Sequence, residues 1–169
     1  MTIRNLALIF LLSQFVGVSL AQDKPLSPME TVKASPGGVE TTIVYCRPSA
    51  RDRVMIGGKE PFGQVWRTGA NAATTIEFDK DVLVEGKELP AGTYSLFTIP
   101  DPKEWTIIFN KVPVQWGAYN YNASEDILRV KVPAKKPKAF VETFTISADK
   151  TRIWLTWENY QVSFSVKKQ

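Results

Sequence analysis

Two irregular stretches gather the residues best suited to binding chemistry. The first holds Arg47, Arg51, Arg53, Trp66, Arg67, Thr68 and Asn71; the second holds Trp116, Tyr119, Asn120 and Tyr121. A guanidinium offers five donors in a fixed fork that fits a carboxylate or a phosphate. Tryptophan and tyrosine offer flat apolar faces on which a sugar ring or a guanidinium can stack. Gly63, Gly69 and Gly117 allow backbone shapes that other residues resist. If the two stretches meet, Arg47, Arg53, Trp66, Arg67, Thr68, Asn71, Trp116 and Tyr119 could form a concave site for a small polar or anionic ligand. Arg53, Arg67 and Asn71 would then supply polar contacts, and Trp66, Trp116 and Tyr119 the walls. The same residues also support a second reading. Arginines among aromatics brace loops by donating to carbonyls, and Trp66 could belong to the core.

The residue inventory removes much other chemistry. The chain contains no histidine. Ser-His-Asp and Cys-His nucleophile pairs, imidazole bases and histidine-bearing zinc sites go with it. Cys46 is the sole cysteine, so no internal disulfide or thiolate metal cluster can form. In the run VETTIVYCR it reads as a small, half-buried hydrophobe. No glycine-rich phosphate loop occurs, and Asp79-Lys80-Asp81 lacks the spacing of a calcium loop. No metal or cofactor is therefore expected. Paired carboxylates are the remaining enzymatic route. With 17 acidic residues some pair is assured by chance, and most, such as Asp52, Asp101, Glu104, Asp126 and Asp149, fall in turns or on polar faces. No residue is assigned a catalytic role. The net charge of +4 is modest, and the lysines at 131, 135, 136 and 138 cluster around two prolines as a solvated loop would. Nucleic acid is not an expected partner.

The elements that must position these residues are strands. Period-two alternation marks residues 39–47, 72–78, 82–84, 93–99, 105–109, 126–132, 140–146, 151–158 and 160–166. Turn signals separate them, and no stretch of the mature chain keeps a helical period over three turns. About nine or ten short strands at this spacing predict an all-β, single-domain antiparallel β-sandwich with two long functional loops. Residues 36–169 are assigned to that domain and residues 22–35 to a flexible leader. At the N-terminus, Arg4 precedes an apolar run that closes on Ser19-Leu20-Ala21. This is the pattern of a cleaved signal peptide over residues 1–21. The run is too short for a membrane span, which wants roughly 18 or more apolar residues. The mature protein is expected in the periplasm or outside the cell, without a membrane span.

The segments CRPSARDR, PFGQVWRTGANAATTIEF, LPAGTYSLFTIP, WTIIFN and WGAYNY resemble an uncharacterised bacterial family, domain of unknown function 2911. The resemblance runs from about Pro36 to Val166. It implies a β-rich, exported protein and carries no reaction with it. The family pattern has Lys-Gly-Arg where this chain has Arg51-Asp52-Arg53, which calls into question any glycine-dependent turn there. Three functions compete: a non-catalytic module for a small polar or anionic ligand, an envelope interaction protein, and a carboxylate-dependent hydrolase.

Overall fold

Alternate burial sets the inner face of many of the strands. The computed structural model describes residues 25–169. The expected signal peptide and the start of the leader lie outside them. Strand β2 (Thr41–Cys46) turns Thr41, Ile43 and Tyr45 into the core and leaves the residues between them half-buried. The same alternation recurs in β3 (Thr74–Phe78), β4 (Val82–Val84), β10 (Arg152–Glu158) and β11 (Tyr160–Lys168). Side chains on a strand alternate sides, so period two in sequence becomes one dry face in space.

The strands form two antiparallel sheets, making an all-β sandwich. With β1 (Met29–Ala34), β6 (Gly92–Ile99), β7 (Glu104–Asn110) and β8 (Asp126–Pro133), the six-stranded sheet runs β1-β2-β3-β6-β7-β8. With β5 (Lys87–Leu89) and β9 (Val141–Ala148), the five-stranded sheet runs β5-β4-β11-β10-β9. Aromatic side chains join the inner faces. Phe109 meets Phe164 edge-on at 5.6 Å, and Tyr45 meets Phe144 at 5.6 Å. The Tyr45 hydroxyl also accepts from the Ile146 amide at 2.9 Å, which satisfies a buried donor across the sandwich.

The described residues form eleven strands, β1 and β5 being those the alternation does not mark. The flexible-leader assignment of residues 22–35 is corrected over Met29–Ala34. This segment pairs with β2 along its whole length, from Met29 opposite Cys46 to Ala34 opposite Thr41. Only Val32 of β1 packs against the core, so backbone hydrogen bonds rather than an apolar face hold the strand. Such bonds leave no mark on hydropathy.

Strands β6 and β7 are buried on both sides. On the outer side, Ala73, Phe97 and Ile108 form a second small core, covered by Val65, Ala118 and Tyr121. The irregular segment after β7 thus lies over the six-stranded sheet. No helix among the described residues is long and apolar enough to cross a membrane.

Candidate functional site

The loop carrying Arg67 is built around a buried indole. Trp66 is 1% exposed. It stacks on Trp157 at 5.5 Å and meets Phe144 and Trp105 edge-on at 5.0 and 6.1 Å. Its Nε1 donates to the Gly69 carbonyl at 3.0 Å, bending the chain back over the ring. The backbone of Trp66 also pairs with Thr98 on β6, at 2.7 and 2.9 Å. Thr74 Oγ1 donates to the Thr68 carbonyl at 2.6 Å, and the Thr74 amide to the Arg67 carbonyl at 3.1 Å. Thr68 and Asn71 both take left-handed φ, 56° and 60°. This is an unfavourable region for non-glycine residues, held here by the surrounding hydrogen bonds. The outcome is a compact turn that projects Arg67 and Asn71 outward.

The two irregular stretches do meet. Ala72 pairs with Trp116, the Ala73 amide donates to the Gln115 carbonyl at 2.9 Å, and the Gly117 amide to the Asn71 carbonyl at 3.0 Å. Gly117 has φ 65°, and a Cβ there would sit 2.9 Å from the Tyr119 ring, so this turn requires glycine. Side chains pin the rest of the second stretch. Gln115 Nε2 donates to Asn110 Oδ1 at 3.1 Å, and Ser95 Oγ to the Val112 carbonyl at 2.6 Å. Tyr121 packs edge-on against Phe97 at 4.9 Å, donates to Asp126 at 2.6 Å and accepts from Arg129 at 2.6 Å. Burial first, then the hydrogen bond to Asp126, pushes the Tyr121 hydroxyl up to about 12. The hydrogen bond to Asp126 likewise raises Arg129.

Between the stretches lies a hollow of about 150 Å³ lined by Arg67, Asn71, Trp116, Gly117 and Tyr119. Trp116 and Tyr119 are 66% and 84% exposed, so the hollow is open-sided. Among the described residues Arg67 Nε is buried and donates to nothing. The nearest carboxylate is Glu60, with Oε1 3.9 Å from Arg67 Nη2, beyond hydrogen-bond reach. Burial raises the Glu60 carboxyl above its ordinary range, and the Arg67 charge opposes that only in part. Glu60 has no periodicity or motif to mark it in the sequence. Only its placement beside Arg67 identifies it. No carboxylate lines the hollow itself. A paired-acid mechanism would need a second acid across from the first.

Four of the eight expected site residues are engaged elsewhere. Trp66 is core, not a ligand wall. Thr68 is fully buried, with Oγ1 3.1 Å from Thr98 Oγ1. Arg47 donates to Glu30 at 2.6 Å, to Thr145 Oγ1 at 2.9 Å and to the Phe144 carbonyl at 3.3 Å. Arg53 donates to the Ala50 and Ser49 carbonyls at 2.8 and 3.0 Å. These last two arginines brace, as the second reading of the sequence had it. Arg67, Asn71, Trp116 and Tyr119 remain together. Among the described residues no group of three or more acidic or cysteine side chains is placed to hold a metal, and Cys46 is a half-buried free thiol.

No curated protein matches this chain, and no solved structure does. One family model matches, spanning residues 27–166 and thus running from β1 into β11. It takes in both loops that wall the hollow, and the chain belongs to the family it describes, protein of unknown function (DUF2911).

Proposed function

We propose that this protein is an exported, non-catalytic module that captures a small ligand through a carboxylate or phosphate group at Arg67. One observation carries the reading: Arg67 Nε is buried without a partner, and its closest carboxylate stands off at 3.9 Å. A buried donor left unmade costs about 1–3 kcal/mol, which an arriving anion would recover. A hollow of about 150 Å³ is smaller than a site for a whole drug-sized molecule, typically about 300–1,000 Å³. It suits the anionic group alone, with the rest of the ligand lying across Trp116 and Tyr119. Asn71 adds an amide donor at the rim. Pinning of both loops before binding keeps the ordering cost small.

Calorimetry and thermal shift with citrate, inorganic phosphate, glucuronate and neutral glucose test the reading. An anion should bind the native protein, and glucose should not. Arg67→Ala should weaken that anion about 10- to 100-fold, the worth of a charged hydrogen bond, with little change in its own melting temperature. If no anion shifts the native protein and Arg67→Ala merely melts earlier, the arginine is a brace and the proposal falls. Export rests on the residue pattern at positions 1–21. N-terminal sequencing of protein recovered from its native host should begin at Gln22, and a start at Met1 would refute export.

A further inference from the structure

A second set of polar groups, several with open donors or acceptors, lies on the outer face of the five-stranded sheet, among residues that do not line the Arg67 hollow. Along β10, Arg152, Trp154 and Thr156 alternate with the buried Ile153, Leu155 and Trp157. On β11, Gln161 and Ser163 face the same way, with Trp154 opposite Ser163 and Thr156 opposite Gln161. After β8 the chain crosses between the sheets, and Lys135 pairs with Gln161 through two backbone hydrogen bonds of 2.8 Å. This strap walls a cavity of about 400 Å³ lined by Lys135, Arg152, Trp154, Gln161 and Ser163 with Glu85 and Pro133. A second cavity of about 400 Å³ shares Lys135 and adds Lys136, Asn159 and Tyr160.

The groove is held in shape before any ligand arrives. Arg152 donates to Ser163 Oγ at 2.9 Å, to the Ser163 carbonyl at 2.9 Å and to Glu85 at 3.0 Å. Glu85 also accepts from the Ser165 amide, at 2.5 Å, and so fixes the guanidinium to the sheet. Trp154 Nε1 donates to Asp149 at 2.7 Å, which sets the indole. Gln161 Nε2 donates to Thr156 Oγ1 at 3.2 Å. Among the described residues, Arg152 Nη1, the Lys135 ammonium and the Gln161 side-chain carbonyl make no hydrogen bond or ion pair. Lys135 and Arg152 thus line the groove, with Lys136 in the adjoining cavity, against Glu85, whose Oε1 already accepts from Arg152 and Ser165, and Asp149, whose two oxygens are both accepting.

We propose that this groove binds an acidic oligosaccharide, a chain of uronate-type sugars. A sugar carboxylate matches Lys135 and the open amino group of Arg152. The apolar face of a sugar ring matches Trp154. Sugar hydroxyls match the Gln161 carbonyl and the Ser163 side chain. A bare inorganic anion would leave the indole unused, and a neutral sugar would leave the cations unused. The two cavities meeting at Lys135 suit a chain of rings rather than a single one. None of these residues belongs to the Arg67 hollow.

The test is calorimetry with trigalacturonate, cellotriose and inorganic phosphate on the full mature protein. Trigalacturonate should bind with a dissociation constant below about 1 mM, and affinity should fall as salt rises. Lys135→Glu should weaken it at least about tenfold, since it replaces a charged donor by a like charge. That side chain is exposed and the strap pairs through its backbone, so the variant keeps the fold, as its melting temperature will report. Trp154→Ala should cost a similar factor, and Arg67→Ala should change nothing. Absence of trigalacturonate binding, equal binding of cellotriose, or an unaltered affinity in folded Lys135→Glu would each overturn the proposal.

Discussion

Arg53 and Arg67 lie in one long connection and look alike in sequence, yet the fold uses them in opposite ways. In the first part of that connection every named charge is engaged. Arg53 holds the Ser49 and Ala50 carbonyls, Arg47 ties Glu30 to β9, and buried Glu158 accepts from the Met55 and Ile56 amides at 2.8 and 2.7 Å. In the second part the backbone is satisfied by an indole N–H, a threonine hydroxyl and a neighbouring loop. Arg67 is therefore not needed to close its own turn. A loop whose polar backbone is satisfied by uncharged groups leaves its charged side chain free of that bracing.

The largest expected effect tests what supports the second region. Trp66→Ala should lose about 3–5 kcal/mol in urea unfolding, as deletion of a fully buried indole does. A loss below about 1 kcal/mol would mean that Trp66 is not the pivot of the turn. Next come the two arginines themselves. Arg47→Ala should cost about 1–2 kcal/mol, because it breaks a half-exposed ion pair and two further hydrogen bonds. Arg67→Ala should cost under about 0.5 kcal/mol, as expected of a site without a strong partner. Equal losses in the two would erase the distinction.

A smaller effect concerns the turn at Arg51 and Asp52, both in left-handed φ, 51° and 58°. Glycine takes this region without the strain that a Cβ brings. Asp52→Gly should therefore raise stability by about 0.5–1 kcal/mol, seen as a higher urea midpoint. The smallest effect is the pH dependence around Glu60. Burial raises its folded-state value, so the folded chain holds that proton more tightly than the unfolded one. Its contribution is complete below the ordinary value of 4.5 and is lost as pH rises through the raised one. Glu60→Gln stays neutral and escapes that loss. It should melt slightly above the native protein near pH 7, with the gap closing below pH 4.5. A lower melting temperature at pH 7 would show that the Arg67 pairing is a real brace.

How much of this was legible in the chain can be argued from particular residues. Alternation such as Ile43 with Tyr45, or Ile153 with Leu155 and Trp157, announces a strand and its inner face, and the sandwich follows. The pairing of β1 was not legible, because an edge strand held by backbone bonds needs no apolar pattern. For the candidate site, residue type marked the two loops that meet at the hollow but not which side chains line it. Trp66 and Trp116 are the same residue in similar polar loops, and only burial tells the anchor from the exposed wall. Glu60 carries no local signal at all.

By itself, then, the sequence determined the class of fold, the removal of histidine and thiolate chemistry, and the two loops where polar and aromatic groups concentrate. These follow from composition and period, which act over a few residues. Only the tertiary structure decided which arginine among the described residues is left without a hydrogen bond. That depends on the carbonyls and carboxylates brought within about 3 Å of each guanidinium by strands far apart in the chain.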